Sequence, residues 1–497
     1  MKQSLGRPLY LADQVRELDR RTVAAGMDGF ALMQRAAMAA YDVLRARWPG
    51  VRRLSVLCGS GNNGGDGYVM AALAVCDGID VQLIAVSDPA GLKGEAARAR
   101  DMAEQAGVRI RHWHAGLTLD GEVAIDALLG TGLKGEVREP YVTAIETTNA
   151  SGKPVLAVDI PSGLAADTGA SLGHTVRADI TVTFIADKFG LHTGAAPAHV
   201  GEHRLETLGV EAGAHADLVP AAWLMVESRI AEALPPRRRD SHKGHQGHVL
   251  VLGGAPGFGG AALLASEAAA RLGAGKVSLA TAREHVTASL VRCPEVMVHG
   301  VDSPGEIQAL LAAADVIVIG PGLSQAPWGQ RMLQAALKTA ARLVVDADAL
   351  NLLVTRWPDL RRDNWILTPH PGEAARLLNI AGSEVQRGRL AAVTQLQHER
   401  GGCVVLKGAG SLVAGPNRVG VCPFGNPGMA SGGMGDALSG ILGALLAQGL
   451  PLEIAAEVGM LLHAQAADAA AEAQGERGLL ASDLASYARR LANPMES

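Results

Sequence analysis

Short apolar runs alternate with segments of helical spacing through the first part of the chain. The apolar runs do not alternate polar and apolar residues, which is typical of parallel strands buried on both faces of a sheet. Between two of them, Ala96–Ala106 carries Arg and Glu side chains on one face, as an amphipathic helix does. We therefore predict a parallel α/β sheet with the strands Leu54–Cys58, Val81–Val86, Val123–Leu129, Pro154–Ile160 and Ile180–Ile185.

The pattern breaks between Glu211 and Asp240, where no strand is predicted. This segment ends in the charged run Arg237–Asp240. Such a run could bind phosphate, but a solvated linker explains it better. We place the domain boundary in this region, with one domain over residues 1–217 and a second over residues 218–497.

A second α/β series follows the break and shares no motif with the first. It closes with an Ala-rich helical region from about Asp436 to Ala473. Two unlike α/β domains are therefore predicted. The strands predicted in the second series are His248–Leu252, Val277–Ala280, Val316–Ile319, Leu343–Asp346, Ile366–Thr368 and Val404–Leu406.

Composition excludes several other classes of protein. The 61 Gly among 497 residues follow no G-X-Y period, which excludes a collagen-like chain, and a hydrophobic content of 48% excludes a disordered one. The net charge of −5 and the aromatic content of 3% provide neither a basic surface nor stacking rings for nucleic acid. We expect no nucleic-acid partner.

Targeting and cysteine signals are also absent from the sequence. The five cysteines are widely spread without a C-x-x-C pair, so reduced thiols are expected and neither a disulfide framework nor a zinc site is predicted. The N-terminus lacks the apolar core of a signal peptide. The longest apolar helical stretch, Ala437–Leu450, is shorter than the roughly 20 residues a bilayer requires. We expect a cytoplasmic protein without membrane contact, assembled as a homo-oligomer.

A glycine-rich loop, CGSGNNGGDG, follows the first predicted strand. Gly59, Gly61 and Gly64 satisfy G-x-G-x-x-G, whose glycines let backbone N–H groups approach a phosphate at a helix N-terminus. That spacing alone fits a structural turn equally well. The same loop, however, supplies two Asn and one Asp within Asn62–Asp66, which are oxygen donors suited to an alkali cation or a ribose.

Charged side chains are carried at the ends of three further strands of the first series, at Asp126, Asp159 and Lys188. The carboxyl ends of parallel strands meet at one edge of a sheet, where ligands bind. A single acid in such a place could be a structural carboxylate. Three converging strand ends beside the glycine-rich loop favour a ligand site.

The second half has its own glycine-rich helix entry, Asn426–Asp436. Its backbone N–H groups could form an anion hole, and Asp436 could accept a proton from a hydroxyl. A helix cap is the alternative, but the run of glycines favours phosphate binding. Leu272–Val277 does not form a P-loop, because Ala270 and Val277 stand where Gly and Ser or Thr are required.

Together these motifs resemble those of the bifunctional NAD(P)H-hydrate repair enzymes over nearly the whole chain. The first half carries GNNGGDG, DALLGTGL and VDIPSG, and is similar to NAD(P)H-hydrate epimerase domains. The second carries GPGL, DADALN, TPHPGE, KGAG and GGMGD, and is similar to ADP-dependent NAD(P)H-hydrate dehydratase domains. The resemblance implies an α/β chain with an N-terminal Rossmann-like three-layer domain and a C-terminal ribokinase-like α/β domain.

The resemblance also implies the residues of an epimerase site. Asp159 would be the general acid and base, with Lys188 assisting it. A potassium ion would be bound by Asn63, Asp126 and Ser162. The hydrated nucleotide would contact Asn62, Asn63, Gly64, Gly65, Asp66, Gly130, Thr131, Gly132, Leu133, Lys134, Gly135, Glu136 and Asp159.

For the dehydratase half, the resemblance implies phosphorylation of the hydrate by ADP with Mg²⁺, release of AMP, and elimination of phosphate. Asp436 would deprotonate the attacking hydroxyl. The hydrate would contact Ala261, Gly322, His370 and Asp436, and the adenine nucleotide would contact Lys407, Gly408, Ala409, Gly410, Ser411 and Gly435. In this chain KGAGS replaces the more usual KGAGT, and GPGLS ends in Ser where Gly is common, so details of nucleotide contact differ.

The expected partners are thus the small molecules NADHX, NADPHX and ADP. Two other functions remain open from the sequence. One is a ribokinase-like small-molecule kinase with an appended nucleotide-binding domain, against which the motifs of the first half argue. The other is a nucleotide-sensing module without catalysis, against which the presence of Asp436 argues.

Overall fold

A computed structural model of the protein describes residues 6–210 and 217–493. The chain forms two compact units, Pro8–Ala222 and Trp223–Ser497, with Met1–Arg7 grouped in the second. The division between Arg7 and Pro8 falls within strand β1 (Arg7–Leu9).

The unit Pro8–Ala222 is built on a seven-stranded sheet in the order β4-β3-β2-β5-β6-β7-β8, with every neighbouring pair parallel. Its strands are β2 (Arg53–Cys58), β3 (Asp80–Ala85), β4 (Ile110–His112), β5 (Val123–Ala127), β6 (Val155–Val158), β7 (Ile180–Phe184) and β8 (Glu202–Glu206). Its helices are α1 (Ala12–Ala24), α2 (Gly29–Arg47), α3 (Asn62–Cys76), α4 (Gly94–Gln105) and α5 (Tyr141–Ala150).

Both faces of this sheet are covered. In β2, Leu54, Val56 and Cys58 join a core that includes residues of α2, α3 and α4. The intervening Leu57 joins a different core with residues of α5. Because successive side chains of a strand point to opposite faces, this division gives a three-layer α/β/α arrangement. The apolar runs without alternation therefore predicted the parallel sheet correctly.

The unit Trp223–Ser497 is built on the larger sheet, in the order β1-β9-β18-β17-β16-β15-β14-β13-β10-β11-β12. Pairing is parallel from β12 to β16, but β17 is antiparallel to both β16 and β18. Its strands are β9 (Ala222–Leu224), β10 (His248–Leu252), β11 (Lys276–Thr281), β12 (Met297–Gly300), β13 (Val316–Ile319), β14 (Arg342–Val345), β15 (Trp365–Leu367), β16 (Cys403–Leu406), β17 (Leu412–Ala414) and β18 (Val419–Val421).

Helices of this unit cover its sheet and carry most of its apolar core, which includes the buried faces of α7, α15 and α16. They are α6 (Ser228–Ala233), α7 (Gly259–Arg271), α8 (Val286–Arg292), α9 (Gln308–Ala313), α10 (Pro327–Leu337), α11 (Ala347–Arg356), α12 (Pro371–Leu378), α13 (Gly382–Arg387), α14 (Arg389–Arg400), α15 (Met434–Ala447), α16 (Leu452–Gln474) and α17 (Ala481–Leu491).

The Ala-rich helical region is confirmed. It consists of two helices, because Gly449 takes φ +94° and Pro451 follows it, which ends α15 before α16 begins. Two details of the sequence prediction are wrong. The segment predicted to lack strands contains β9; its residues 211–216 lie outside the described chain. The Asn and Asp residues of the first glycine-rich segment lie in α3 itself, since that helix begins at Asn62.

Among residues 6–210 and 217–493, no helix combines the length and the apolar character needed to cross a bilayer.

Candidate active sites

Asp159 and Lys188 form an ion pair at the carboxyl edge of the first sheet. Nζ of Lys188 donates to Oδ1 of Asp159 at 2.6 Å and to Oγ1 of Thr183 at 2.6 Å. The Thr183 hydroxyl donates in turn to the same Asp159 oxygen at 3.2 Å. The lysine side chain is 1% exposed and that of Asp159 is 19% exposed. The other carboxylate oxygen, Oδ2, accepts no hydrogen bond from the described residues, so it is available to a ligand.

The backbone at this pair is strained. Asp159 takes φ +66° and Ile185 takes φ +67°, both in the left-handed region that non-glycine residues rarely occupy. The N–H group of Asp159 donates to the carbonyl of Val182 at 2.7 Å, which holds it there. Such strain is concentrated at ligand sites, because surrounding contacts must maintain it. Here it turns the carboxylate out of the end of β6.

A cavity of about 690 Å³ opens beside the pair. Its walls bring together two of the predicted segments, since the start of α3 and the loop after β5 both line it. Gly135 and Glu136 follow that loop but are exposed residues outside the wall. The predicted residues that line the cavity are Asn62, Asn63, Asp66, Gly130, Thr131, Gly132, Leu133, Lys134, Asp159 and Lys188.

The glycines around the start of α3 are required by close packing of backbones. A Cβ on Gly64 would lie 2.2 Å from the carbonyl oxygen of Gly59, and one on Gly59 would lie 1.8 Å from that of Leu128. Gly65 packs in the same way against the side chain of Met33. By contrast, a Cβ on Gly61 would have no neighbour within 4 Å. Gly64 and Gly65 therefore shape the site from behind, without lining the cavity.

Replacing Gly64 with alanine is expected to destabilise the unit Pro8–Ala222 by roughly 1–3 kcal/mol, the usual cost of forcing atoms into a packed interior. The Gly50→Ala variant is the matched control, because a Cβ on Gly50 would have no neighbour within 4 Å, and it should unfold close to the wild-type midpoint. Chemical denaturation followed by circular dichroism measures both. Equal stability of the two variants would contradict the packing explanation.

Asp126 and Ser162 are buried in direct contact behind the cavity. The Ser162 hydroxyl donates to Oδ1 of Asp126 at 2.5 Å, and the Ser162 N–H donates to Oδ2 at 2.8 Å. Burial raises the pKa of Asp126 to about 6, although the hydrogen bonds from Ser162 and Leu128 lower it. The structure thus brings two of the three predicted cation ligands together.

Asn63, the third predicted ligand, reaches the same region from α3. Its Cβ and Cγ lie 3.2 and 3.6 Å from the position that a Cβ on Gly130 would occupy, and the neighbouring Leu129 N–H donates to the Ser162 hydroxyl at 2.8 Å. Both polar atoms of the Asn63 carboxamide are buried without a hydrogen-bond partner among the described residues. An unpaired buried carboxamide costs free energy, so these oxygen donors fit a site for a bound cation.

Asp19 is a cavity residue that sequence reasoning missed. It lies in α1 and lines the cavity together with Asp66 and Asp159. Burial, and then the charge of Asp159, raise the pKa of Asp19 to about 6. Burial also raises the pKa of Asp66 well above its usual range, with Asp159 and Asp19 adding to the effect. Nothing in the charged helix sequence distinguished Asp19 from its exposed neighbours.

In the second unit, Lys407 and Asp346 form the centre of the other site. Nζ of Lys407 donates to Oδ1 of Asp346 at 2.8 Å, and the Ser439 hydroxyl donates to Oδ2 at 2.9 Å. A Cβ on Gly435 would lie 3.1 Å from Nζ of Lys407 and 3.4 Å from Oδ2 of Asp346. Gly435 therefore lets the first turn of α15 approach this ion pair.

Asp436 stands next to that contact, in the first turn of α15. The first backbone bond of the helix runs from the Ala437 N–H to the carbonyl of Gly433, so the N–H groups of Gly435 and Asp436 have no intrahelical acceptor. Burial raises the pKa of Asp436 to about 7, with the charges of Asp346 and Asp348 adding to the shift and Lys407 opposing it. A carboxylate with this pKa beside free N–H groups suits proton transfer next to a bound anion.

The loop Lys407–Ser411 is a turn between β16 and β17. Gly408 and Gly410 take φ +132° and +59°, and the Ser411 hydroxyl donates to the carbonyl of Gly408 at 2.8 Å. The buried guanidinium of Arg389 donates to the carbonyls of Leu406 and Lys407, both at 3.3 Å, from beneath. Arg389 is thus a supporting residue that the motifs did not reveal.

Three predicted dehydratase residues remain, namely His370, Ala261 and Gly322. His370 caps α12, where its Nδ1 accepts from Gly372, and the buried Glu373 accepts from the His370 N–H at 2.8 Å. Burial raises the pKa of Glu373, the charge of Lys407 lowers it and that of Asp346 raises it. The cap of α12 is therefore close enough to the Asp346–Lys407 pair to feel both charges. Ala261 and Gly322 form a pair, since the Cβ of Ala261 lies 3.3 Å from the position of a Cβ on Gly322.

Comparison with known proteins agrees with the motifs in both units. The family model for NAD(P)H-hydrate dehydratase matches residues 249–490, and that for the YjeF-related protein N-terminus matches residues 29–190. The bifunctional NAD(P)H-hydrate repair enzyme Nnr of Coxiella burnetii is 48% identical over 487 residues, which cover 98% of this chain and 99% of the relative. The chain belongs to the family of bifunctional NAD(P)H-hydrate repair enzymes. The resemblance identified from the motifs is confirmed.

Two further comparisons agree with this membership. The family member from Escherichia coli K12 is 43% identical over 493 residues, covering 99% of this chain and 95% of the relative. The crystal structure of a ribokinase-like superfamily protein from Enterococcus faecalis V583 is 28% identical with a TM-score of 0.50, covering 55% of this chain and 98% of that one. The predicted fold class, including the ribokinase-like C-terminal part, is confirmed.

Proposed function

We propose that the chain repairs hydrated nicotinamide cofactors through two separate sites. Residues 1–217 would epimerise R- and S-NAD(P)HX, and residues 218–497 would dehydrate the S form to NAD(P)H with ADP. The observation that carries the proposal is the presence of two independent acid–lysine centres, Asp159–Lys188 and Asp346–Lys407, each beside a glycine-rich helix entry. The predicted domain boundary at residue 217 lies near the change of unit at Ala222.

In the epimerase site, Asp159 would exchange a proton with the hydroxyl at C6 of the hydrated ring. The three hydrogen bonds to Oδ1 hold the carboxylate in place and leave Oδ2 for the substrate. Loss of the hydroxyl as water and its return on the other face of the ring would interconvert the epimers. Lys188 keeps the carboxyl group oriented through its hydrogen bond to Oδ1. The cavity of about 690 Å³ is large enough for a nucleotide-sized ligand.

Asn63, Asp126 and Ser162 would bind the potassium ion. Their donors are a carboxamide, a carboxylate and a hydroxyl oxygen, which suit a hard cation. On binding, the Ser162 hydroxyl can direct its hydrogen to the carbonyl of Leu129, 3.2 Å away. When bound, the ion supplies positive charge beside the negatively charged nucleotide.

The Ser162→Ala variant is expected to raise the KCl concentration for half-maximal epimerase activity roughly tenfold, the equivalent of about 1.4 kcal/mol from one lost ligand. Choline chloride should keep the ionic strength constant. Ser171→Ala, which removes a hydroxyl outside the cavity, is the control. A KCl dependence identical to that of the wild type would remove Ser162 from the proposed cation site.

In the dehydratase site, Asp436 would take the proton from the C6 hydroxyl as its oxygen attacks the terminal phosphoryl group of ADP. The new O–P bond forms as the bond to AMP breaks. Elimination then breaks the C6–O bond and the C5–H bond, so that phosphate and a proton leave and the C5–C6 double bond of NAD(P)H is restored. The N–H groups of Gly435 and Asp436 would stabilise charge on the transferred group. Lys407–Ser411 would contact the adenine nucleotide.

Magnesium fits the carboxylates of this site. The charges of Asp346 and Asp348 both raise the pKa of Asp436, so the three carboxylates are close enough to interact. Mg²⁺ is usually bound by one or two carboxylates together with substrate phosphates. When bound, the ion supplies charge that neutralises the phosphates. We further propose that NADHX, NADPHX and ADP are the partners, that the reaction takes place in the cytoplasm, and that the chain assembles as a homo-oligomer.

The dehydratase is expected to lose activity as the pH falls through about 7, because Asp436 must be deprotonated to act as a base. Its raised pKa means that kcat/KM for S-NADHX should fall about tenfold per pH unit below that value. Initial rates between about pH 6 and about pH 8.5, with ADP saturating, measure this profile. A rate that stays constant down to about pH 6 would contradict the assigned base.

Purified R-NADHX tests whether epimerisation and dehydration are two separate reactions of this chain. Without ADP it should convert to the S epimer and stop at the equilibrium mixture. Addition of ADP and Mg²⁺ should then produce NADH. Formation of NADH from the R epimer by a route that does not pass through the S epimer would contradict the two-site proposal.

A further inference from the structure

Two histidines and an aspartate form a buried cluster in the unit Pro8–Ala222. Nε2 of His192 lies 2.7 Å from Oδ1 of Asp187, and Nε2 of His203 lies 3.1 Å from the same oxygen. Their side chains are 8%, 15% and 0% exposed for His192, His203 and Asp187. One donor atom from each residue lies within 4.8 Å of the other two.

The three residues come from three neighbouring parts of the fold. Asp187 lies in the loop after β7, His192 follows a short 3₁₀ turn at Phe189–Leu191, and His203 is in the edge strand β8. None of them lines the cavity of the epimerase site. Asp187 directly precedes Lys188, whose side chain pairs with Asp159. The cluster therefore lies outside the proposed active site but on the segment that carries its lysine.

Hydrogen bonding within the cluster does not account for all of its donor atoms. Nε2 of His203 is buried, yet it has no hydrogen bond of acceptable geometry to any described residue, although Oδ1 of Asp187 is near. The two imidazole rings meet edge to face with their centroids 4.8 Å apart. Both Nε2 atoms lie near the same oxygen, Oδ1 of Asp187. A buried ring nitrogen without a partner is unfavourable unless something else binds it.

We propose that Asp187, His192 and His203 bind a divalent cation of the Zn²⁺ class. Two imidazole nitrogens and one carboxylate oxygen are a usual three-residue ligand set for this class, with the fourth position left to water. Ligand atoms about 2.0–2.1 Å from a tetrahedral ion are about 3.3 Å apart. The two Nε2–Oδ1 distances are 2.7 and 3.1 Å, so drawing the carboxylate back by about 0.2–0.6 Å would give these two pairs the spacing that the ion requires. The donor atoms of the two histidines, which lie within 4.8 Å of each other, would have to reach the same spacing.

This site is different from the proposed potassium site. It is also different from a zinc site built on cysteines, which the cysteine spacing argues against. It contains no cysteine and shares no residue with Asn63, Asp126 and Ser162. A bound ion would tie the edge strand β8 to the loop between β7 and Lys188. Its role would be to hold the lysine segment in place, without contact with the substrate.

Metal binding to the full-length chain tests the proposal directly. The protein is stripped with a chelator, dialysed, and titrated with Zn²⁺ alone by calorimetry, and with Co²⁺ alone while visible absorption is recorded. We expect one high-affinity equivalent, Co²⁺ bands typical of a four-coordinate site, and a rise in the melting temperature when Zn²⁺ is added. His203→Ala and His192→Ala should each weaken Zn²⁺ binding by more than about 100-fold, beyond the effect of losing an outer-shell partner.

The exposed pair His242 and His245 provides the matched control. Their ring centroids lie 3.6 Å apart on the surface, so this pair could bind Zn²⁺ adventitiously. The double variant His242→Gln/His245→Gln should retain the high-affinity equivalent. Loss of that equivalent in this control, its persistence in His192→Ala and His203→Ala, or its absence from the stripped wild-type chain would each overturn the proposal. The wild-type titration decides even if a cluster variant fails to fold.

Discussion

The Asp436→Asn variant is expected to lose about 10²- to 10⁴-fold in the rate of S-NAD(P)HX dehydration, because it removes the proposed general base. Asparagine keeps the size of the side chain and the helix entry, so nucleotide binding should change little. The same chain should epimerise NADHX at the wild-type rate, since Asp159 and Lys188 are unaffected. Initial rates of NADH formation from S-NADHX with ADP and Mg²⁺ measure the first effect, and epimer ratios by chromatography measure the second.

Asp483→Asn is the matched control for this variant. Asp483 is an acid of the same unit that accepts from the Leu480 N–H at 2.9 Å and caps α17. It should leave dehydration unchanged. If the Asp436→Asn variant dehydrated S-NADHX at more than about a tenth of the wild-type rate, Asp436 could not be the base.

The Asp159→Asn variant is expected to lower the rate of epimerisation by about 10²- to 10⁴-fold while dehydration of S-NADHX continues. The substitution removes the proton acceptor and leaves the 1% exposed Lys188 without its counter-charge. Breaking a buried ion pair costs about 3–5 kcal/mol, so the unit Pro8–Ala222 should also unfold at lower denaturant. Epimer ratios in the absence of ADP, read beside a denaturation curve, separate the two effects.

Asp167→Asn is the control for the second variant. Asp167 accepts from the Ala12 N–H at 2.6 Å and does not line the cavity. Its epimerase rate should equal that of the wild type. A folded Asp159→Asn protein with normal epimerisation would show that another cavity acid, such as Asp19 or Asp66, performs the proton transfer.

The parallel sheets were predictable because local physics determines them. A strand buried on both faces must be apolar at every position, and runs such as Val316–Ile319 show this without any tertiary information. The strands β17 and β18 were missed because each has only three residues and lies within the glycine-rich stretch Gly408–Gly425, whose pattern indicates turns. The break between α15 and α16 was missed because composition is Ala-rich on both sides of Gly449 and Pro451.

The candidate sites were predictable where a motif and a functional residue coincide, as at Asp159 and Asp436. Residues that act through long-range contacts were not. Asp346 reaches Lys407 across 61 positions, and its strand-end motif gave no sign of that partner. Asp19 acquires its raised pKa only from burial beside Asp159, which no local pattern encodes.

Repair of both epimers requires the two sites to act in one chain. The most direct measurement is to incubate a mixture of R- and S-NADHX with the wild-type protein, ADP, Mg²⁺ and K⁺, and to follow NADH absorbance against a protein-free control for spontaneous epimerisation. We expect complete recovery of NADH at a rate faster than the spontaneous conversion of the R epimer allows. Recovery of the S fraction alone, or of neither, would contradict the two-site proposal.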